Sequence, residues 1–325
     1  MLKRMINSAR IELDIIPIDP LLIKSGQATV AGVDMAFVRT YRHGDEDEPF
    51  IPGSSLKGMF RSYAEKICRS LRENPVPVCL PYLRADPNAT QPGEERQASC
   101  GLRFEDYKRR RDIKTVPSTE AYSLSCPVCR LFGSHVGIGR FATSDAYLKP
   151  DFQRGFVLET RDGVAIDRLT GGAAKGAKYD LEVLTRGEFQ TSIELRNFER
   201  WQLALVGLVL RDMEQGLVRL GFGKSRGLGR FEAAVKTFSV AYFNRQPDRL
   251  CGIWALCPEG EREAYGFYPE TDADSPPLPD AERNGLRDEY NLNETWQTVL
   301  EPGVTDLIEM IGAVDWPRRI ETYCN

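Results

Sequence analysis

No stretch of this 325-residue chain is apolar for long enough to cross a bilayer, which takes about 20 residues. The opening Met1-Leu-Lys-Arg-Met-Ile-Asn7 also lacks the apolar core of a secretory signal. A membrane protein is not expected, and the chain is placed in the cytoplasm. No internal repeat is visible, which sets aside repeat architectures. Histidine is scarce, with His43 and His135 alone available for imidazole chemistry. Lysine is missing from residue 270 onward, where thirteen Asp/Glu stand against four Arg. That local charge of −9, within a net charge of −4, leaves the rest of the chain at +5. A basic core with an acidic tail is compatible with RNA bound on one face, although net charge locates no site.

With 42% hydrophobic residues the chain can bury a large core. Its eight cysteines, in a reducing compartment, point to metal where they cluster and to packing where they scatter. Cys126-Pro-Val-Cys129 has the spacing of half a tetrahedral zinc site. Cys79 and Cys100 lie in the preceding stretch of low periodicity, 73–119, which is too long for a structureless loop and needs a tie. The four cysteines are therefore the expected ligands of a structural Zn2+, with His135 as an alternative ligand. A redox role is disfavoured because no βα context precedes Cys126.

Arg10 to Ile18 alternates like a half-buried strand, Trp201 to Gln215 has the period of a buried helix, and Phe189–Leu195 and Arg230–Phe238 read as strands. The order β-(β)-α-β-β-α-β predicts an α+β fold of the ferredoxin-like, RRM-like kind with large insertions. The expected divisions are a core over 1–240, a zinc-binding insertion over 73–135, a projecting hairpin over 155–187, and an acidic, irregular C-terminal extension over 241–325.

Two stretches look able to hold phosphate. In Phe50-Ile-Pro-Gly-Ser-Ser-Leu-Lys-Gly-Met-Phe-Arg61, Ser54 or Ser55 is positioned to cap a helix, whose free amides would join Lys57 and Arg61, one helical turn apart. In Gly221-Phe-Gly-Lys-Ser-Arg-Gly-Leu-Gly-Arg230, Lys224, Ser225 and Arg226 ride a flexible turn whose amides can nest an anion. The latter is not a P-loop, since Val218 stands where the pattern requires glycine. Tyr41, Phe141 and Tyr179 are aromatic, but sequence does not separate base-stacking rings from core.

These stretches, with Ala31-Gly32-Val33-Asp34, Cys126-Pro-Val-Cys129-Arg-Leu-Phe-Gly-Ser134 and Ile166-Asp167-Arg168-Leu169-Thr170-Gly171, recur in a fixed order. Together they resemble the RAMP superfamily, and within it the backbone subunits of type III CRISPR effector complexes, the Csm and Cmr group. The resemblance covers roughly Arg10 to Val240. It implies a crRNA guide, a target single-stranded RNA paired to it, and assembly with other RAMP subunits and the large subunit of the complex. It makes the hairpin carrying Arg168 a thumb that kinks the guide, and sets the glycine loop against that guide. It makes Asp34 the residue needed to cut target RNA as a metal-dependent endoribonuclease, with a divalent metal such as Mg2+ as cofactor. Subunits that keep the fold and lack the aspartate only shape the guide, and that non-catalytic role is the alternative.

Overall fold

The alternation at Arg10–Ile18 builds strand β1 (Asn7–Pro17), whose Ala9, Ile11, Leu13 and Ile15 are buried on one face. After β2 (Arg39–Tyr41) and β3 (Asp47–Pro49) comes helix α1 (Gly53–Leu71). The insertion then contributes α2 (Cys100–Arg111), α3 (Ser118–Ser123) and α4 (Pro127–Phe132), followed by the short strands β4 (Gly133–Ser134), β5 (Gly137–Ile138), β6 (Phe141–Thr143) and β7 (Tyr147–Leu148). Next are the hairpin β8 (Val157–Ile166) and β9 (Ala173–Arg186), strand β10 (Phe189–Arg196), α5 (Arg200–Glu214) and β11 (Phe231–Phe243). The extension adds α6 (Ile253–Leu256), α7 (Glu259–Tyr265), β12 (Glu282–Asn284), β13 (Arg287–Asn291) and α8 (Trp296–Ala313). This computed structural model describes residues 2–26, 33–42, 47–80, 99–271 and 275–316; Ala31, Gly32, His43, Cys324 and 81–98 of the insertion lie outside the described residues.

The main sheet runs β12-β13-β11-β1-β10-β6, with β7 also on β10, and its pairings are antiparallel. Counting core strands in chain order, β11-β1-β10-β6 is the 4-1-3-2 arrangement of a ferredoxin-like fold, as the sequence order predicts. The register sets Ile11 opposite Ile193 on one side and Phe238 on the other, so one apolar row crosses three strands. Each such side chain, fully buried, contributes about 1.5–3 kcal/mol. Helices α1 and α5 pack on that face, while the other carries Ser8, Arg10, Ser192, Glu194 and Ser239 around a polar groove of about 620 Å3.

The extension is not irregular, contrary to its sequence reading. Two of its strands lengthen the sheet at β11, and α8 packs along α5. Pro302 and Gly303 interrupt the helical pattern of α8 in sequence, and its acidic Asp306 is buried against Arg200 at 2.6 Å.

Candidate nucleic-acid interface and metal centre

Asp34 sits alongside the middle of the projecting hairpin. The segment around it lies alongside β9: the Met35 amide donates to the Asp180 carbonyl at 3.0 Å, and the Glu182 amide to the Met35 carbonyl at 3.0 Å. The Asp34 side chain adds a bond of its own, its Oδ2 accepting from the Asp180 amide at 3.1 Å, and it stays exposed. Glu182 also accepts from the Phe37 amide at 2.9 Å and pairs with Arg39. Asp180 and Asp162 stand opposite each other across the hairpin. Asp162, helped by burial and the nearby Asp34, pushes the Asp180 carboxyl up, whereas Lys178 holds Asp162 down.

The glycine loop reaches the same stem. Its backbone is fastened to the segment after β1, with the Phe222 amide donating to the Leu22 carbonyl at 2.8 Å and the Gly229 amide to the Pro20 carbonyl at 2.9 Å. Gly229 has a φ of +82°, and a Cβ there would lie 2.1 Å from the Leu220 carbonyl oxygen, so glycine is required. Arg226 crosses to the hairpin, where its Nη1 donates to the Tyr179 hydroxyl at 2.8 Å while its guanidinium lies 4.9 Å from the Phe222 ring centroid. Tyr179 and Asp180 are consecutive, so Arg226 and Asp34 dock on neighbouring residues of β9. Lys224 and Ser225 are exposed beside them; burial and the nearby Lys66 push the Lys224 ammonium down. At the far end of the hairpin Asp167 accepts from the Leu169 and Thr170 amides at 2.7 and 3.0 Å, fixing a turn that leaves Arg168 exposed and Leu169 97% exposed.

The start of α1 differs from its sequence reading. The helix begins at Gly53 after an extended Pro52, so Ser54 and Ser55 fall inside the first turn and neither caps it. Asp145 does so from the β6–β7 connection, its Oδ1 accepting from the Gly53 amide at 2.7 Å. A carboxylate thus already occupies the anion position at that helix end. Lys57 donates to the Phe141 carbonyl at 3.1 Å. The cations of the two stretches do not share one face: Arg61 turns to the cysteines, and Lys224 stands near Lys66, half a turn round the helix from Lys57. Phe141 is core, packed between Phe60 and Phe132, whereas Tyr41 is 70% exposed.

The cysteine spacing does converge. Cys79, Cys100, Cys126 and Cys129 are buried, with their Sγ atoms all within 4.8 Å of one another. Cys126 stands at the N-cap of α4 with Pro127 next, and its sulfur accepts from the Cys129 amide at 3.5 Å; Cys100 begins α2, capped by Ser99. Four thiolates about 2.3 Å from a tetrahedral zinc stand about 3.8 Å apart, and Cys79 and Cys129 lie 3.6 Å apart. The residues fit, and this group could hold a metal such as zinc. Burial pushes the Cys100 and Cys126 thiols up, while hydrogen bonds from the other three hold Cys79 down. His135 is not a member of the group; it is exposed and lies against Gly101. Cys68 and Cys257 are buried apart from it.

Sheet order, inserted hairpin and cysteine group define an RRM-like α+β domain with an insertion able to bind metal. A family model described as the RAMP superfamily matches residues 15–232, well over half of the chain, and the chain belongs to that superfamily. No curated protein matches it. Among the described residues no helix is long and apolar enough to cross a membrane.

Proposed function

We propose that this chain is a guide-RNA-binding backbone subunit of a type III CRISPR ribonucleoprotein, and that it cleaves the guide-paired target RNA through Asp34. The observation that supports this reading is the meeting of Asp34 and Arg226 on adjacent hairpin residues, Asp180 and Tyr179. A carboxylate and a phosphate-binding cation are thereby held midway along an exposed hairpin suited to prying bases apart. Lys224, Ser225 and Arg226 take the guide backbone, Arg168 follows it along the hairpin, and Lys57 with Ser54 and Ser55 contributes from the flank of α1. Its partners are the crRNA, the target strand, other RAMP subunits and the large subunit.

In the cut, Asp34 orients and accepts the proton of a target 2′-OH. The 2′-oxygen then bonds to phosphorus as the bond to the 5′-oxygen breaks, and that oxygen takes up a proton. The products are a 2′,3′-cyclic phosphate and a 5′-hydroxyl. A divalent metal such as Mg2+ would supply charge neutralisation at the phosphate, held by Asp34 with Asp180 beside it. The four cysteines hold a structural Zn2+ that orders the insertion.

A purely guide-shaping role is the second reading, favoured by the structural work Asp34 already does at the Asp180 amide. Guide binding itself is tested by Lys224→Glu with Arg226→Glu. The pair is expected to weaken binding of any guide sequence and to reduce the salt slope by about 0.7 per lost phosphate contact. Unchanged affinity and slope would remove the glycine loop from the interface.

A further inference from the structure

Arg61 has the spacing of a phosphate ligand, yet its guanidinium is engaged on three sides within the protein. Nε donates to Glu65 Oε1 at 3.2 Å, Nη1 to the Gly133 carbonyl at 3.1 Å, and Nη2 to Cys129 Sγ at 3.2 Å. Gly133 is the residue that ends α4, the short helix that Cys126 opens and that contains Cys129. One side chain of α1 therefore grips both a cysteine sulfur and the end of the turn that presents it. About two helical turns further on, Arg69 donates to Glu65 Oε2 at 3.4 Å and to the Cys79 carbonyl at 3.3 Å. Arg61, Glu65 and Arg69 form an i, i+4, i+8 row that reaches cysteines from both halves of the group.

We infer that Arg61 is the charge partner and positioning residue of the metal–thiolate centre, and not a guide-RNA contact. The inference rests on the reading that the four cysteines hold zinc. A dication bound by four thiolates carries a net double negative charge. All four cysteines are at most 5% exposed, so the sulfurs themselves meet little water, and a cation held against them, as the partly buried Arg61 is, offsets that charge. An N–H···S bond from a fixed cation withdraws charge from Cys129 Sγ and fixes its direction, as outer-shell donors do in metal sites. The planar fork explains why arginine stands here. Three acceptors, one on α1 and two on α4 and its end, are met by three N–H groups in one plane, which a lysine ammonium cannot reproduce.

The test uses the full chain, with zinc content measured first in wild type and then its release to the chelator 4-(2-pyridylazo)resorcinol in wild type, Arg61→Gln and Arg61→Lys. Guide-RNA affinity is titrated against salt for each. Arg61→Gln is expected to release zinc 10- to 100-fold faster, with RNA affinity and salt slope unchanged, and Arg61→Lys to fall between it and wild type. Release of zinc from Arg61→Gln at the wild-type rate overturns the inference. So does retained zinc with a salt slope reduced by about 0.7, because Arg61 would then contact phosphate. If the Gln variant does not fold, a folded Arg61→Lys protein releasing zinc at the wild-type rate is equally decisive against it. Wild-type chain without zinc overturns the metal reading itself, and the inference with it.

Discussion

Replacing Asp34 separates chemistry from architecture, because its structural attachment is slight. The side chain is exposed and makes one hydrogen bond to the Asp180 amide, whose loss costs about 0.5–1.5 kcal/mol at most. The two backbone bonds joining Met35 to Asp180 and Glu182 remain and keep the segment on β9. Asp34→Ala should therefore assemble and bind guide as wild type does. If Asp34 accepts the 2′-OH proton, cleavage opposite this subunit should fall about 10²- to 10⁴-fold, equivalent to about 3–5 kcal/mol of barrier. Asp34→Asn retains an oxygen able to accept from the Asp180 amide but loses the negative charge, and should be equally impaired. The assay is single-turnover cleavage of a guide-paired RNA by the reconstituted complex, with each cut resolved on a gel and its ends identified. Wild-type cleavage by Asp34→Ala at full guide occupancy would refute the assignment. An active Asn variant beside an inactive Ala variant would reduce Asp34 to an anchor. A 5′-phosphate on the downstream fragment would mean attack by water and overturn the mechanism.

Cys126→Ser should lose the bound metal by elemental analysis and lower the melting temperature by about 10 °C or more; unchanged zinc content and melting would remove the metal centre. Gly229→Ala, with its Cβ driven onto the Leu220 carbonyl, should cost about 3 kcal/mol in denaturant unfolding and loosen the glycine loop, whereas a cost near zero would mean the turn rearranges freely. Glu270 is buried, which outweighs its Gly252 amide bonds and the nearby Arg200 and raises its pKa to about 7. The unfolded chain releases that proton near 4.5, so the stability contributed by neutral Glu270 is full below about pH 4.5 and is lost as the pH rises through 7. Glu270→Gln, neutral throughout, should match wild type at pH 4 and exceed it at pH 8 by up to about 3 kcal/mol; equal melting at both pH values would refute the burial argument.

What the sequence determined by itself is what neighbouring residues encode. Ile11, Leu13 and Ile15 alternate because a strand turns every second side chain to the core, and the apolar period of Trp201 to Gln215 marks α5 wherever it packs. Cys126 and Cys129 need only the α4 turn to present two thiols side by side, and a stretch too long to stand unsupported pointed to Cys79 and Cys100 as their partners. Only the tertiary structure decided between partners remote in the chain. Arg61 and Lys57 share a helix face in any α1, but the insertion folded against that face turned Arg61 to a sulfur. Ser54 and Ser55 are good caps by type, yet the extended Pro52 set the helix start at Gly53 and Asp145, 92 residues on, took its amide. The extension concealed α8 behind Pro302 and acidic residues whose burial beside Arg200 no local pattern could signal. Periodicity is a property of adjacent residues, whereas the neutralisation of a buried charge depends on which distant segment brings the opposite one.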